Sequence, residues 1–215
     1  MAARQHNRAG SPTHRWSLVI MQKDNDIQEL INRSRSGDRV AYQKVFERFH
    51  RTVYSLAIHL VQNPDDADDI TQEAFLRAWE RIKQLTSPHA FRNWLLTITV
   101  NLARSLLRKR TSEPVVTAAD LWESADWESE QEEEKILEQP TPDIINEAEE
   151  REKIRLIHQA VAALPLFFRE VVILHYFEGL DIGEVAQVLK IPVGTVKSRL
   201  ARARQRLRDA LADLL

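Results

Sequence analysis

Residues 179–204 read Gly-Leu-Asp-Ile-Gly-Glu-Val-Ala-Gln-Val-Leu-Lys-Ile-Pro-Val-Gly-Thr-Val-Lys-Ser-Arg-Leu-Ala-Arg-Ala-Arg, which predicts two short helices joined by a tight turn. Asp181 can cap the first helix, and Glu184 three residues later completes a capping box. Pro192 suits the first turn of the second helix, where no backbone N–H is needed. The stretch therefore predicts a helix-turn-helix unit.

The second helix of this unit is apolar on one side and basic on the other. Its apolar residues recur at steps of three and four, at Val193, Val196, Leu200, Ala203 and Leu207. The basic residues between them are Lys197, Arg199, Arg202, Arg204, Arg206 and Arg208. Such a helix can pack on its own domain while its basic face enters a DNA major groove. The alternative is a basic surface helix of an ordinary bundle, which would not need the capped partner helix.

Charge divides the chain into basic and acidic parts. The whole protein of 215 residues has a net charge of -2, but residues 111–150 alone hold fourteen acids and one lysine. The rest of the chain is therefore strongly basic, which indicates a polyanionic partner. No cysteine is present, which excludes a disulfide framework and a thiolate metal site within this chain. No apolar run reaches the length of a membrane span, and we expect a cytoplasmic location.

The segment before the acidic part predicts four helices. They run from Asp26 to Ser36, from Asp38 to about Gln62, from Asp65 to Ile82, and from about Ala90 to Arg110. In the third, Asp66, Asp69, Glu73 and Glu80 share a face that suits docking on a basic protein surface. We expect residues 1–23, which are basic and aperiodic, to be disordered, and Met21 is a possible true start.

Helical periodicity returns at Glu150, after the acidic part. Ile154, Ile157, Val161 and Leu164 form one predicted apolar stripe, and Pro165 opens the next helix. We therefore expect an all-α chain of two small helical domains. Their predicted ranges are 24–110 and 150–215, with a flexible acidic linker at 111–149 and an N-terminal extension at 1–23.

This layout resembles the sigma-70 family, and within it the small extracytoplasmic-function (group IV) branch that keeps only regions 2 and 4. Asp69-Ile70-Thr71-Gln72-Glu73-Ala74-Phe75 resembles the element that docks on the clamp helices of RNA polymerase. Phe91-Arg92-Asn93-Trp94-Leu95 with Asn101 resembles the minus-10 reader, and Gly194-Thr195-Val196-Lys197-Ser198-Arg199 resembles the minus-35 reader. The resemblance implies a promoter-specificity factor whose two DNA readers are held far enough apart to span two promoter elements.

The resemblance also implies site residues and partners. Those expected to bind polymerase are Asp66, Asp69, Gln72, Glu73 and Phe75. Those expected at minus-10 DNA are Lys83, Gln84, Thr86, Ser87, His89, Asn101, Arg104 and Arg108, the first five lying in a loop that would capture an unstacked base. Those expected at minus-35 DNA are Thr195, Lys197, Ser198, Arg199, Arg202, Arg204 and Arg206. The expected partners are core RNA polymerase, promoter DNA and an anti-sigma factor, with no cofactor.

Two other classes were weighed against this interpretation. An autonomous helix-turn-helix regulator would bind its operator without polymerase, usually as a dimer, and leaves the acidic helix face unexplained. An enzyme is disfavoured because the seven histidines show no metal-ligand spacing and no phosphate loop or nucleophile elbow is present.

Overall fold

The N-terminal half consists of helices packed around the second of them. The computed structural model describes residues 26–110 and 147–212. In the first range, helix α1 covers 26–35, α2 is Arg39–Val61, α3 is Pro64–Arg81 and α4 is Phe91–Arg110. Two single 3₁₀ turns, Ile82–Gln84 and Pro88–Ala90, lie between α3 and α4. We call this range module A.

The C-terminal half holds the helix-turn-helix unit. Helix α5 is Glu147–Ala163, α6 is Leu166–Val172, α7 is Ile182–Leu189 and α8 is Val193–Ala212. A π-helical turn, Ile173–Phe177, continues α6, with the Glu178 N–H donating to the Ile173 carbonyl. This wide turn was not predicted. We call residues 147–212 module B, and within the two described ranges there is no β-strand, as the sequence predicts.

Local capping rules set the helix boundaries in module A. The Asp38 carboxylate accepts from the Ala41 N–H at 3.0 Å and starts α2. Gln62 ends it in the left-handed conformation, with φ at 57°. Asn63 then caps α3, and Pro64 takes the first helical position. The predicted boundaries are confirmed to within a residue or two.

The helix-turn-helix unit also forms as predicted. The Asp181 carboxylate accepts from the Glu184 N–H at 2.7 Å, and the Glu184 carboxylate accepts from the Asp181 N–H at 3.0 Å. Lys190 ends α7 with φ at 56°, and the Pro192 carbonyl accepts from the Val196 N–H as α8 begins. The capping box is confirmed.

The two modules share one apolar core. Leu56 and Leu60 of α2 and Val100 of α4 belong to the same buried cluster as Val171 of α6 and Val185 of α7. A second cluster, around Phe91, lies within module A alone. The expectation of two helical modules is met, but the sequence predicted readers held apart, whereas in this structure the modules pack directly against each other.

Parts of two predicted apolar stripes are exposed. Ile154 and Ile157 of α5 are 48% and 43% accessible, and Val193 at the start of α8 is 46% accessible. Val161 and Leu164, later in the same stripe, are buried. Among the residues that the structure describes, each predicted stripe is therefore buried only in its later part.

None of the helices within residues 26–110 and 147–212 has the length and hydropathy needed to cross a membrane.

Replacing the cap residue of α7 should destabilise module B. This helix has only eight residues, so it depends on its cap and on packing. We expect Asp181→Ala to lower the free energy of unfolding by about 1 kcal/mol, measured by urea titration. Gln187→Ala, exposed on the same helix, is the control. Equal midpoints for the two variants would show that the cap does not stabilise the unit.

Candidate polymerase and DNA interfaces

One face of α3 is exposed, acidic and centred on a leucine. Asp69 and Gln72 are exposed, and Glu73 is half-buried and paired with Arg77 at 2.6 Å. Leu76 is 60% accessible and lies one helical turn from both Gln72 and Glu73. Sequence reasoning missed Leu76, because a leucine in an amphipathic helix is normally assigned to the core. This face combines negative charge with an apolar centre.

Two residues predicted for this face lie in the core instead. Asp66 is 8% accessible and forms a bidentate ion pair with Arg110 of α4, with Oδ1 and Nη2 at 2.7 Å. Phe75 is 4% accessible, packs on Phe46 at a ring-centroid distance of 4.6 Å, and its carbonyl accepts from the Tyr42 hydroxyl. The expectation that both are available to a partner is corrected: Asp66 ties α3 to α4, and Phe75 packs α3 on α2.

The loop between α3 and α4 presents most of the predicted base-contacting side chains. Lys83, Gln84 and Thr86 are exposed, Ser87 is half-buried, and the buried Leu85 anchors the loop in the core of module A. The exposed His89 is held by a 2.9 Å hydrogen bond between its Nδ1 and Nε2 of Gln28 in α1.

A cleft of about 600 Å³ opens beside this loop. It is lined by α1, α2 and the start of α4, with Phe49 and Thr52 in its wall and Arg48 and Arg92 contributing cationic groups. Its aromatic, hydroxyl and guanidinium groups are those that stack on and hydrogen-bond an unstacked base. Sequence reasoning found the loop but not the cleft, because α1 and α2 are distant in sequence.

The polar face of α4 is divided between solvent and module B. Asn101 and Arg108 are exposed. Arg104 instead forms a bidentate ion pair with Glu170 of α6, at 2.5 and 2.6 Å. Burial lowers the pKa of Arg104, but the Glu170 hydrogen bond and charge outweigh that effect, so its pKa is raised. The predicted DNA-binding residues of α4 are therefore not all accessible here.

Further polar contacts join the first turns of α4 to module B. Arg92 donates to the Glu178 carbonyl, and Asn93 Nδ2 donates to the Glu184 carboxylate at 3.2 Å. The Thr97 hydroxyl donates to the Asn93 carbonyl within α4 at 2.8 Å, and its Oγ1 lies 3.3 Å from the Val188 carbonyl oxygen. The N-terminal turns of α4 thus contact α7 and the turn that precedes it.

The polar and basic residues of α8 surround its buried face. Ser198 lies opposite the buried Val196, Leu200 and Ala203, and the half-buried Thr195 and Arg202 lie between Ser198 and the flank that carries Arg199 and Arg206. Lys197 and Arg204 are exposed on one flank. On the other flank, Arg199 lies 5.6 Å from the Phe167 ring and Arg206 lies 5.2 Å from the Phe168 ring.

Arg199 departs from the simple prediction of a DNA-facing side chain. Burial lowers the pKa of Arg199. The negative charge of Glu170 acts in the opposite direction, and the positive charge of Arg104 lowers the pKa further. Arg199 is therefore packed on its own module in this conformation.

Comparisons with known proteins match both modules to one family. Residues 45–113 match the family model of Sigma-70 region 2, and residues 154–207 match that of Sigma-70, region 4. The RNA polymerase sigma-H factor of Pseudomonas aeruginosa is 31% identical over 191 residues, covering 87% of this chain and 95% of that protein. The ECF RNA polymerase sigma factor SigW of Bacillus subtilis is 31% identical, covering 87% of this chain and 98% of that protein.

The chain belongs to the extracytoplasmic-function sigma factors. As a sigma factor it binds core RNA polymerase and directs promoter-specific initiation of transcription. The expected family and all-α fold are confirmed.

Solved structures share the fold. CnrH, in complex with the cytosolic domain of CnrY, aligns with a TM-score of 0.61 at 24% identity, covering 88% of this chain and 98% of that chain. The sigma factor RpoE from Bartonella quintana, in complex with the anti-sigma factor NepR, aligns with a TM-score of 0.56 at 23% identity, covering 80% and 96%.

No metal centre is indicated in the part of this sigma factor that the structure describes. Within those residues, no three histidine, aspartate or glutamate side chains are grouped so that they could hold an ion. The predictions for residues 1–23 and for the acidic linker lie outside the described residues.

Asp66 and Asp69 of α3 should differ in their contribution to the free energy of unfolding. Asp66→Asn removes the charge of a buried carboxylate whose partner Arg110 is half exposed, so we expect the free energy of unfolding to fall by roughly 1–3 kcal/mol. Asp69→Asn changes an exposed side chain, so we expect a change within about 0.5 kcal/mol. Urea unfolding followed by circular dichroism measures both. If Asp69→Asn destabilised the protein as much as Asp66→Asn, this division of the acids would be wrong.

Proposed function

We propose that this sigma factor performs its three binding tasks with three separate surfaces. The acidic face of α3 binds core polymerase, residues 82–90 and the adjoining cleft read minus-10 DNA, and α8 reads minus-35 DNA. The observation that carries the proposal is the separation of charge: α3 exposes Asp69 and Glu80 around Leu76, whereas residues 193–208 contain no acid. One chain therefore offers a surface for a basic protein and another for DNA.

The polymerase surface combines attraction with apolar contact. Asp69, Gln72 and Glu73 provide charge and hydrogen-bond acceptors, and Leu76 provides apolar area at the centre. Interfaces gain most of their affinity from such a desolvated centre, with the charged rim guiding encounter and orientation. Both side chains of the Glu73–Arg77 ion pair are solvent-exposed. Such pairs are weak, so breaking this one on docking would cost little free energy.

The minus-10 surface is built around base capture. Lys83, Gln84, Thr86, Ser87 and His89 supply polar groups for a base edge and the sugar–phosphate backbone. The cleft beside them provides the wall on which a base can stack. Asn101 and Arg108 extend the surface along α4 toward the neighbouring phosphates.

The minus-35 surface is α8, in the manner of a recognition helix. Ser198 lies opposite its buried face, with Arg202 and Thr195 beside it, and this side of the helix is where base edges would lie in the major groove. Lys197, Arg204 and Arg206 lie on its flanks, where phosphates would lie. Arg199 would have to leave Phe167 to reach a base.

The three surfaces also suggest the domain ranges, the location and a further partner. Residues 24–110 form region 2, residues 150–215 form region 4 and residues 111–149 link them. The protein is a cytoplasmic binding subunit that catalyses no reaction of its own. An anti-sigma factor is a further partner, because a solved relative is in complex with one.

Charge reversal on α3 should weaken polymerase binding strongly without unfolding the protein. Asp69→Lys with Glu73→Lys would place positive charge against a basic partner surface, and we expect at least about a tenfold loss of affinity for core enzyme, equivalent to about 1.4 kcal/mol. Biolayer interferometry with immobilised core enzyme measures it. Glu29→Lys with Glu47→Lys, exposed on α1 and α2, makes the same charge change elsewhere in module A. Equal losses in the two pairs would contradict the assignment of this face.

Base-reading and phosphate-holding arginines of α8 should differ in holoenzyme. Arg202→Ala should cost about 1–3 kcal/mol and relax preference at one minus-35 position. Arg204→Ala should weaken all promoter variants alike and reduce the salt slope by about one. The measurement is promoter affinity at several salt concentrations over a set of single-base variants. Uniform weakening by Arg202→Ala would show that this residue does not read a base.

A further inference from the structure

One side chain of the minus-10 loop is held by a distant helix. His89 lies between α3 and α4, and its partner Gln28 lies on α1, 61 residues earlier in the chain. Nε2 of Gln28 is 2.9 Å from Nδ1 of His89, and both side chains line the cleft beside the loop. Helix α1 therefore contacts a group that the proposed function places against a captured base.

The contact between these two side chains has a rigid support. Ile31, one helical turn beyond Gln28, is 1% accessible and belongs to the buried cluster that also contains Leu85 of the loop and Phe91 of α4. These buried apolar contacts fix α1 and the loop relative to each other. Gln28 can therefore hold the His89 ring with little additional loss of conformational entropy.

The hydrogen bond determines where the imidazole proton lies. An amide nitrogen only donates, so Nδ1 of His89 must accept, and the ring must be neutral. The one ring proton is then on Nε2, which becomes a donor. A histidine without a partner can exchange between this tautomer and one whose Nε2 accepts. With its amide nitrogen turned to the ring, Gln28 selects the donor form.

A donor at Nε2 distinguishes bases by their exocyclic groups. His89 is exposed, so Nε2 can reach a base bound in the cleft. Guanine and thymine carry an exocyclic oxygen that accepts, whereas adenine and cytosine carry an amino group that donates. The Nε2–H group can hydrogen-bond the oxygen, but it is left unpaired against the amino group. An unpaired donor in a desolvated contact costs more free energy than the hydrogen bond contributes.

We propose that Gln28 is a positioning residue for base selection: it holds His89 as an Nε2–H donor, so that the captured minus-10 base is guanine or thymine rather than adenine or cytosine. This role rests on the proposed function of residues 82–90 in minus-10 recognition. Gln28 acts through the imidazole ring and does not contact the base. Loss of its amide should change which bases are accepted, and overall promoter binding should change little.

Run-off transcription over a promoter panel tests the selection. The full chain with core enzyme is assayed on promoters that carry each of the four bases in turn at every minus-10 position. His89→Ala identifies the position that His89 reads, because preference there is lost. At that position we expect the wild-type protein to favour guanine or thymine by at least about fivefold, the effect of one hydrogen bond.

Gln28→Met keeps the length of the side chain but removes the amide. We expect it to reduce the preference at that position to within about twofold, because both tautomers of His89 become available. Gln43→Met, at an exposed glutamine of α2, is the matched control and should leave every base preference unchanged.

Nitrogen NMR of the histidine ring measures the tautomer itself. Long-range proton–nitrogen spectra are recorded in mildly alkaline solution, where histidine is ordinarily neutral. The signals of His89 are identified by their loss in His89→Ala. The wild-type protein should show a protonated Nε2 and an unprotonated Nδ1, and Gln28→Met should show a mixture of the two tautomers.

The outcomes separate this inference from the proposed function. If His89→Ala changes no minus-10 preference, the assignment of the loop fails and the role of Gln28 fails with it. If His89→Ala relaxes one position and Gln28→Met does not, the loop assignment stands and the role of Gln28 is overturned. A wild-type preference for adenine or cytosine at that position, or a proton on Nδ1, would overturn it as well.

Discussion

A buried carboxylate must have a cationic or hydrogen-bonding partner, and Glu170 obeys this constraint through the other module. Transferring an unpaired carboxylate out of water costs several kcal/mol, so α6 can be packed this way only where Arg104 of α4 meets it. The pairing fixes α6 against α4 and brings α7 onto the first turns of α4. Together with the shared apolar core, that contact sets the orientation of the helix-turn-helix unit relative to module A.

The Arg104–Glu170 pair has the bidentate hydrogen-bond geometry with which arginine also binds phosphate. A guanidinium group forms parallel hydrogen bonds with a carboxylate or a phosphate in similar geometry, so Arg104 can exchange Glu170 for a phosphate without a new side chain. Arg199 and Arg206 rest on Phe167 and Phe168 and are likewise cations that packing holds within the module. Arg104, Arg199 and Arg206 are therefore cations that already have a carboxylate or an aromatic ring of this chain as a neighbour.

Stability and recognition are divided between neighbouring residues on α3. Asp66 and Asp69 are three residues apart, yet the first is buried and paired with the half-exposed Arg110, and the second is exposed. Phe75 and Leu76 are adjacent, yet the phenylalanine packs on Phe46 and the leucine is exposed. Composition places all four on one amphipathic helix. A partner can contact only those side chains of α3 that α2 and α4 leave uncovered.

The sequence by itself determined the helices, their caps, the helix-turn-helix unit and the family, because these depend on residues within a few positions of each other. Asp181 with Glu184 and Asn63 with Pro64 are local signals of this kind. Only the tertiary structure decided that the modules share a core, that Arg104 pairs with Glu170, and that a cleft lies beside the minus-10 loop. Helical periodicity reports that a face is apolar or charged, but it carries no information about which distant segment will cover that face.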